Sequence, residues 1–131
     1  MYKTLCSALV GFVLSTSLGC AWITRQSAPS PGTGAVGATV TIGEDGAVTP
    51  KTVSIRPGQV VTFVNKDAKE HSMFSNPHPV HTDCRSMNAV GKLTPGQSRN
   101  TATFQNVEKC GFHDHRDANN AALQGTISVA N

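Results

Sequence analysis

Charge is sparse and dispersed in this 131-residue chain, in which 11 Lys and Arg stand against 8 Asp and Glu for a formal net charge of +3. Aromatics are scarcer still, with one Trp, one Tyr and five Phe, and no basic stripe interleaves with them. The electrostatic footprint of a nucleic-acid binder is therefore missing. No extended stretch carries a 3.6-residue apolar period, which argues against a helical domain. There is no Gly-rich nucleotide loop, no nucleophile paired with a base, and no second metal set at recognisable spacing, so the expectation is a protein that is not an enzyme. A redox activity is the weakest of the alternatives. The longest apolar run, Leu5 to Leu18, is too short for a comfortable membrane span.

What that run offers instead is the apolar centre of a signal peptide. Lys3 precedes it and Ser17-Leu18-Gly19-Cys20 supplies small residues where a peptidase would cut. Residues 1–20 are read as a signal. The residues before Cys20 resemble a bacterial lipobox, with Leu18 one place later than that motif has its leucine. A membrane tether through lipidated Cys20 and ordinary secretion both stay open. Either places the domain in the periplasm or outer cell envelope, where thiols oxidise. Residues 21–37, rich in Ser, Pro, Gly and Ala and including Trp22, read as a flexible tether. The folded domain is expected over 38–131.

In that domain short β-type runs alternate with Gly, Pro, Asn and Asp. The runs are Ala38 to Ile42, Thr52 to Ile55, Val60 to Asn65, Arg99 to Phe104, Cys110 to His113 and Thr126 to Val129. Arg56-Pro57-Gly58-Gln59 and Thr94-Pro95-Gly96-Gln97 are turns by chemistry, since proline presets φ at the second position and glycine supplies the left-handed third. Val53 and Ile55 alternate with Thr52 and Ser54, and Val61 and Phe63 flank Thr62, so each strand has one buried face. The expectation is an all-β sandwich with one long irregular loop, about 75–91.

Chemistry concentrates in Cys110-Gly111-Phe112-His113-Asp114-His115, with His71 upstream and His78, His81 and Cys84 in the long loop. Imidazole and thiolate hold copper and zinc. Residues two apart on a strand share a face, so His113 and His115 can address one ion while Asp114 points away. The candidate ligands are His71, His113, His115, His81 and His78, with Cys110 as an alternative. Met73 and Met87 read as packing residues.

The run Thr49 to Asp67, then His71, Leu93-Thr94-Pro95-Gly96-Gln97-Ser98 and Gly125-Thr126-Ile127-Ser128-Val129 resemble the small secreted cupredoxins of the plastocyanin and azurin group. That resemblance, over about Thr39 to Asn131, implies a Greek-key β-sandwich of cupredoxin type and a copper ion. It also implies a redox or copper-transfer protein as partner. In the family a histidine matching His71 joins a cysteine, a second histidine and usually a methionine from one C-terminal loop. Here Leu123 occupies the place expected for the methionine. If Cys110 is the thiolate, Cys110 and His113 make a blue or green electron carrier. If Phe104 is matched to the phenylalanine opening the penultimate strand, Asp114 stands where the cysteine should be.

Cysteine arithmetic favours the second alignment. With Cys6 in the signal and Cys20 cleaved away or lipidated, Cys84 and Cys110 remain as an even pair in an oxidising place. A disulfide between them would contribute roughly 3 kcal/mol on the chain-entropy model and would exclude a Cys110 thiolate. Pro77-His78-Pro79-Val80-His81-Thr82-Asp83 and His113-Asp114-His115 also resemble segments of histidine-rich cupredoxin-like proteins. The function expected is copper handling or tolerance in the bacterial envelope through a mainly histidine-ligated site. The alternative is a type 1 electron-transfer protein using Cys110.

Overall fold

The computed structural model describes residues 29–131. The signal read over 1–20, including Cys20, and residues 21–28 of the tether, including Trp22, lie outside the described residues. The chain joins the fold sooner than a tether over 21–37 would allow. Gly32 N–H donates to Thr101 O at 2.8 Å, and the first strand starts at Ala35.

Among the described residues nine strands form two sheets. They are β1 Ala35–Ile42, β2 Val48–Thr49, β3 Thr52–Ile55, β4 Gln59–Asn65, β5 His71–Ser75, β6 Gly91–Leu93, β7 Ser98–Asn100, β8 Glu108–Asp114 and β9 Gly125–Val129. One sheet runs β2-β1-β4-β7 and the other β3-β9-β8-β5-β6. The pairs β1–β4 and β3–β9 are parallel and the rest antiparallel. Among the described residues the only helical pieces are three short 3₁₀ turns.

The alternation read from β3 and β4 is what closes the sandwich. Val53, Ile55, Val61 and Phe63 point inward from one side or the other, and Phe112 and Ile127 meet them. Phe63 packs edge-on against Phe112 with ring centres 5.2 Å apart. Gly58 and Gly96 adopt φ of +90° and +77°, the left-handed third position that the two Pro-Gly turns require.

Strand β8 is the ribbon on which the site depends. Cys110, Phe112 and Asp114 are buried on the inner side, so Gly111 and His113 face outward. The long loop after β5 folds back across that outer face. Asn76 N–H donates to Gly111 O at 2.9 Å and Asp83 N–H to Asn76 O at 2.8 Å. A disulfide joins Cys84 in the loop to Cys110 in β8, with Cα atoms 5.6 Å apart and a sequence separation of 26. The covered face explains why His113 is 2% exposed although it lies outside the sandwich.

Candidate metal centre

Four imidazoles converge beneath the folded-back loop. His78 and His81 come from the loop, His113 from β8 and His115 from the turn that ends it, and one nitrogen of each lies within 4.8 Å of the others. Neighbouring donors on one ion with metal–nitrogen bonds of about 2.0–2.1 Å are separated by distances within that limit. His115 Nδ1 and His81 Nε2 are already 3.1 Å apart. His81 stacks on Phe74, ring centres 4.7 Å apart, and Phe74 pairs with His113 across the sheet.

The orientation of His113 decides what the cluster can do. Its Nδ1–H donates to Asn76 Oδ1 at 2.7 Å, which leaves Nε2 as the lone-pair nitrogen. That Nε2 is buried and has no partner. A buried acceptor left bare costs free energy, and here it faces three other imidazoles. A metal ion would satisfy it. Burial lowers the pKa of His113, with further lowering from His78 and His115. Burial also lowers that of His81, followed by His113, His115 and His78. Both are thus biased toward the neutral form that binds metal.

His81 carries the one positive φ of a non-glycine residue among the described residues, +52°. Backbone of this hand is unfavourable for a side chain. It is held by Pro77 O, which accepts its N–H at 2.8 Å, and by Asn88 Nδ2, which donates to its carbonyl at 2.8 Å. On the far side an open cleft of about 610 Å³ is bordered by His78, His113, His115, Asn76 and Arg116.

His71 is not in the cluster. As the first residue of β5 it points to the interior end of the sandwich, 4% exposed. Its Nδ1 lies 2.7 Å from Asp114 Oδ2 and its Nε2 3.0 Å from Asp67 Oδ2. The expected sharing of an ion by His71, His113 and His115 is therefore corrected. Strand alternation sends His113 and Asp114 to opposite faces, and His71 follows Asp114. Cys110 is corrected likewise as an alternative ligand. Its sulfur is bonded to Cys84 inside the core, so the grouping of Cys84, Cys110 and Glu108 offers no thiolate. Met73 and Met87 are fully buried, as packing residues are.

Sequence reasoning passed over Asn76. A Cβ at Gly111 would collide with its side-chain amide, so glycine at this outward position of β8 is what lets Asn76 approach and reach His113. Asn76→Ala is expected to weaken metal binding at this cluster roughly 10- to 100-fold, the usual effect of removing the group that orients a ligating imidazole. Competition against a chelator of known affinity measures it, and an unchanged affinity removes Asn76 from the site.

No family model matches the sequence, and no curated protein matches it. Solved structures do. A plastocyanin from Dryopteris crassirhizoma is 20% identical with a TM-score of 0.55, the match covering 70% of this chain and 99% of that one. A purple cupredoxin from Nitrosopumilus maritimus is 17% identical, TM-score 0.54, covering 71% and 99%. Auracyanin from Roseiflexus castenholzii is 22% identical, TM-score 0.53, covering 75% and 100%. The chain thus has the all-β fold of cupredoxins.

Proposed function

We propose that this cupredoxin-fold protein is an exported copper-binding protein of the bacterial envelope, serving copper handling or tolerance, with His78, His81, His113 and His115 as its ligands. The observation that carries the reading is the bare, buried Nε2 of His113 facing three imidazoles. Among divalent first-row ions an all-nitrogen set favours copper by affinity order. A bound ion would supply Lewis acidity and a one-electron couple. The protein's own part is to hold His113 by Asn76, to keep His81 neutral by burial, and to leave the cleft beside His78 and His115 open for loading and release. The Cys84–Cys110 disulfide supports an oxidising compartment, in keeping with residues 1–20 read as a signal. It also leaves the electron-carrier reading through Cys110 without a thiolate.

Copper titration of the metal-free protein tests this. One Cu(II) per chain is expected, with a pale colour and the wide hyperfine splitting of a tetragonal nitrogen site in electron paramagnetic resonance. An intense band near the red end of the visible spectrum with narrow splitting would overturn it in favour of a thiolate. The titration should depend on pH with a definite sign. His81 and His113 have pKa values lowered from 6.5, so the folded metal-free protein binds fewer protons than the unfolded chain in the window just below 6.5. Its stability is therefore full above that value and falls as pH drops through the window. Protons compete with copper in the same direction, and copper release on acidification below about 6.5 is expected.

A further inference from the structure

Copper binding by the other four histidines leaves His71 without a task. It is nonetheless elaborately placed, buried with a carboxylate oxygen against each ring nitrogen, Asp114 Oδ2 at 2.7 Å and Asp67 Oδ2 at 3.0 Å. Removing one member of such a buried set strands the others without compensation. The position of Asp114 is thereby tied to that of Asp67, which the bond from His71 also holds below the usual carboxylate range. Asp67 in turn is fixed by its own N–H donating to Asn65 Oδ1 at 2.9 Å.

Asp114 stands in the chain between two of the copper ligands. Besides His71, its carboxylate accepts from the N–H of Ser72 and from that of Arg116, both at 3.0 Å. The second of these caps the 3₁₀ turn His115–Asp117. A capping oxygen satisfies an N–H that the turn itself cannot pair and so fixes the angle at which the chain enters it. That turn begins at His115. The turn is also tied from Arg116 Nη1 to a Glu70 carboxylate oxygen at 2.6 Å, an exposed and correspondingly weak pair, and at its far end by Asn120, whose N–H donates to Asp117 O at 3.0 Å.

We propose that His71 is a positioning residue for the copper centre. Braced on Asp67, it holds the Asp114 carboxylate in the pose that caps the His115 turn, and through that cap it sets where the His115 imidazole stands. The brace lies on the inner side of the sheet and the ligands on the outer, so it touches neither the ion nor any ligand side chain. This rests on the reading of the four imidazoles as copper ligands.

A double-mutant cycle tests it. Cu(II) affinity, by competition with a chelator, and the paramagnetic resonance spectrum are measured for the parent, His71→Gln, His115→Ala and the double variant. Glutamine cannot bridge both carboxylates as an imidazole does. His71→Gln is expected to lower affinity roughly 10- to 100-fold and to shift the hyperfine parameters. In the His115→Ala background it should cost nothing further. A merely structural role would lower the melting temperature and give additive losses. Additive losses, or an unchanged affinity and spectrum in His71→Gln, overturn the proposal. Should His71→Gln not fold, Asp67→Asn, which loosens only the far end of the brace, is put through the same cycle with the same two outcomes. If instead the parent and His113→Leu take up copper alike, the four-imidazole reading fails, a result distinct from failure of the brace.

Discussion

Metal-free His113→Leu is expected to melt at or above the temperature of the parent chain while binding copper at least about 100-fold more weakly, more than loss of an orienting partner alone would cost. The two effects have one origin. In the metal-free protein the buried Nε2 has no partner, a burden of about 1–3 kcal/mol. Leucine removes it. The substitution also gives up the bond from Nδ1 to Asn76, worth about 1 kcal/mol net, so stability should rise slightly or hold. The ligand is gone altogether, so affinity should collapse. Calorimetry on the metal-free forms and chelator competition on the loaded ones measure the two together. A variant that is strongly destabilised and still binds copper as tightly as the parent would mean that His113 serves packing alone. Opposite signs would mark a position kept for its ligand at the expense of stability.

Removal of the disulfide, as Cys84→Ala/Cys110→Ala, should act on both properties in the same direction. The bond spans a sequence separation of 26, and its loss relaxes the unfolded chain by about 3–4 kcal/mol on the entropy model. For a domain near this size that lowers the melting temperature by roughly 10–25 °C. Copper binding should weaken as well, because Cys84 lies in the loop bearing His78 and His81 while Cys110 lies in β8, the strand that bears His113. Affinity measured well below the lowered melting point separates that loss from unfolding. If affinity there equals the parent's, the bonds of Asn76 and Asn88 to the loop suffice to hold the ligands.

Much of the framework was legible because its signals are local. Pro57-Gly58 and Pro95-Gly96 announce their turns, and the alternation in β3 and β4 names their buried faces. Strand β5 was missed for a physical reason. Its inward residues are His71, Met73 and Ser75, and its outward ones are Ser72 and Phe74, so polar side chains point inward and an aromatic lies beneath the loop, against the usual strand pattern. Arg99 to Phe104 looked like one strand, yet only Ser98–Asn100 pairs in the ladder. Beyond it Thr101 and Phe104 still donate singly to Val61 O and Gln59 O. The two-residue β2 and three-residue β6 carry too little pattern to be seen. At the site, residue types revealed the four clustered imidazoles but not the separation of His71 from them. That separation depends on the pairing of Met73 with Asp114 and Phe74 with His113, a long-range register no single segment encodes. Asn76 had no signal of its own beyond standing before a proline.

Strand β8 divides its duties residue by residue, with the sulfur, the phenyl ring and the carboxylate serving the interior while the imidazole between them serves the loop side. Loss of the outward imidazole would consequently cost a ligand without costing the interior its packing. Lineages of this chain could discard the outward imidazoles one at a time, or trade them for other donors, and keep a sound sandwich throughout. A single-residue insertion or deletion between 110 and 113 would be far harsher, since it would drive the imidazole into the core and expel the phenyl ring.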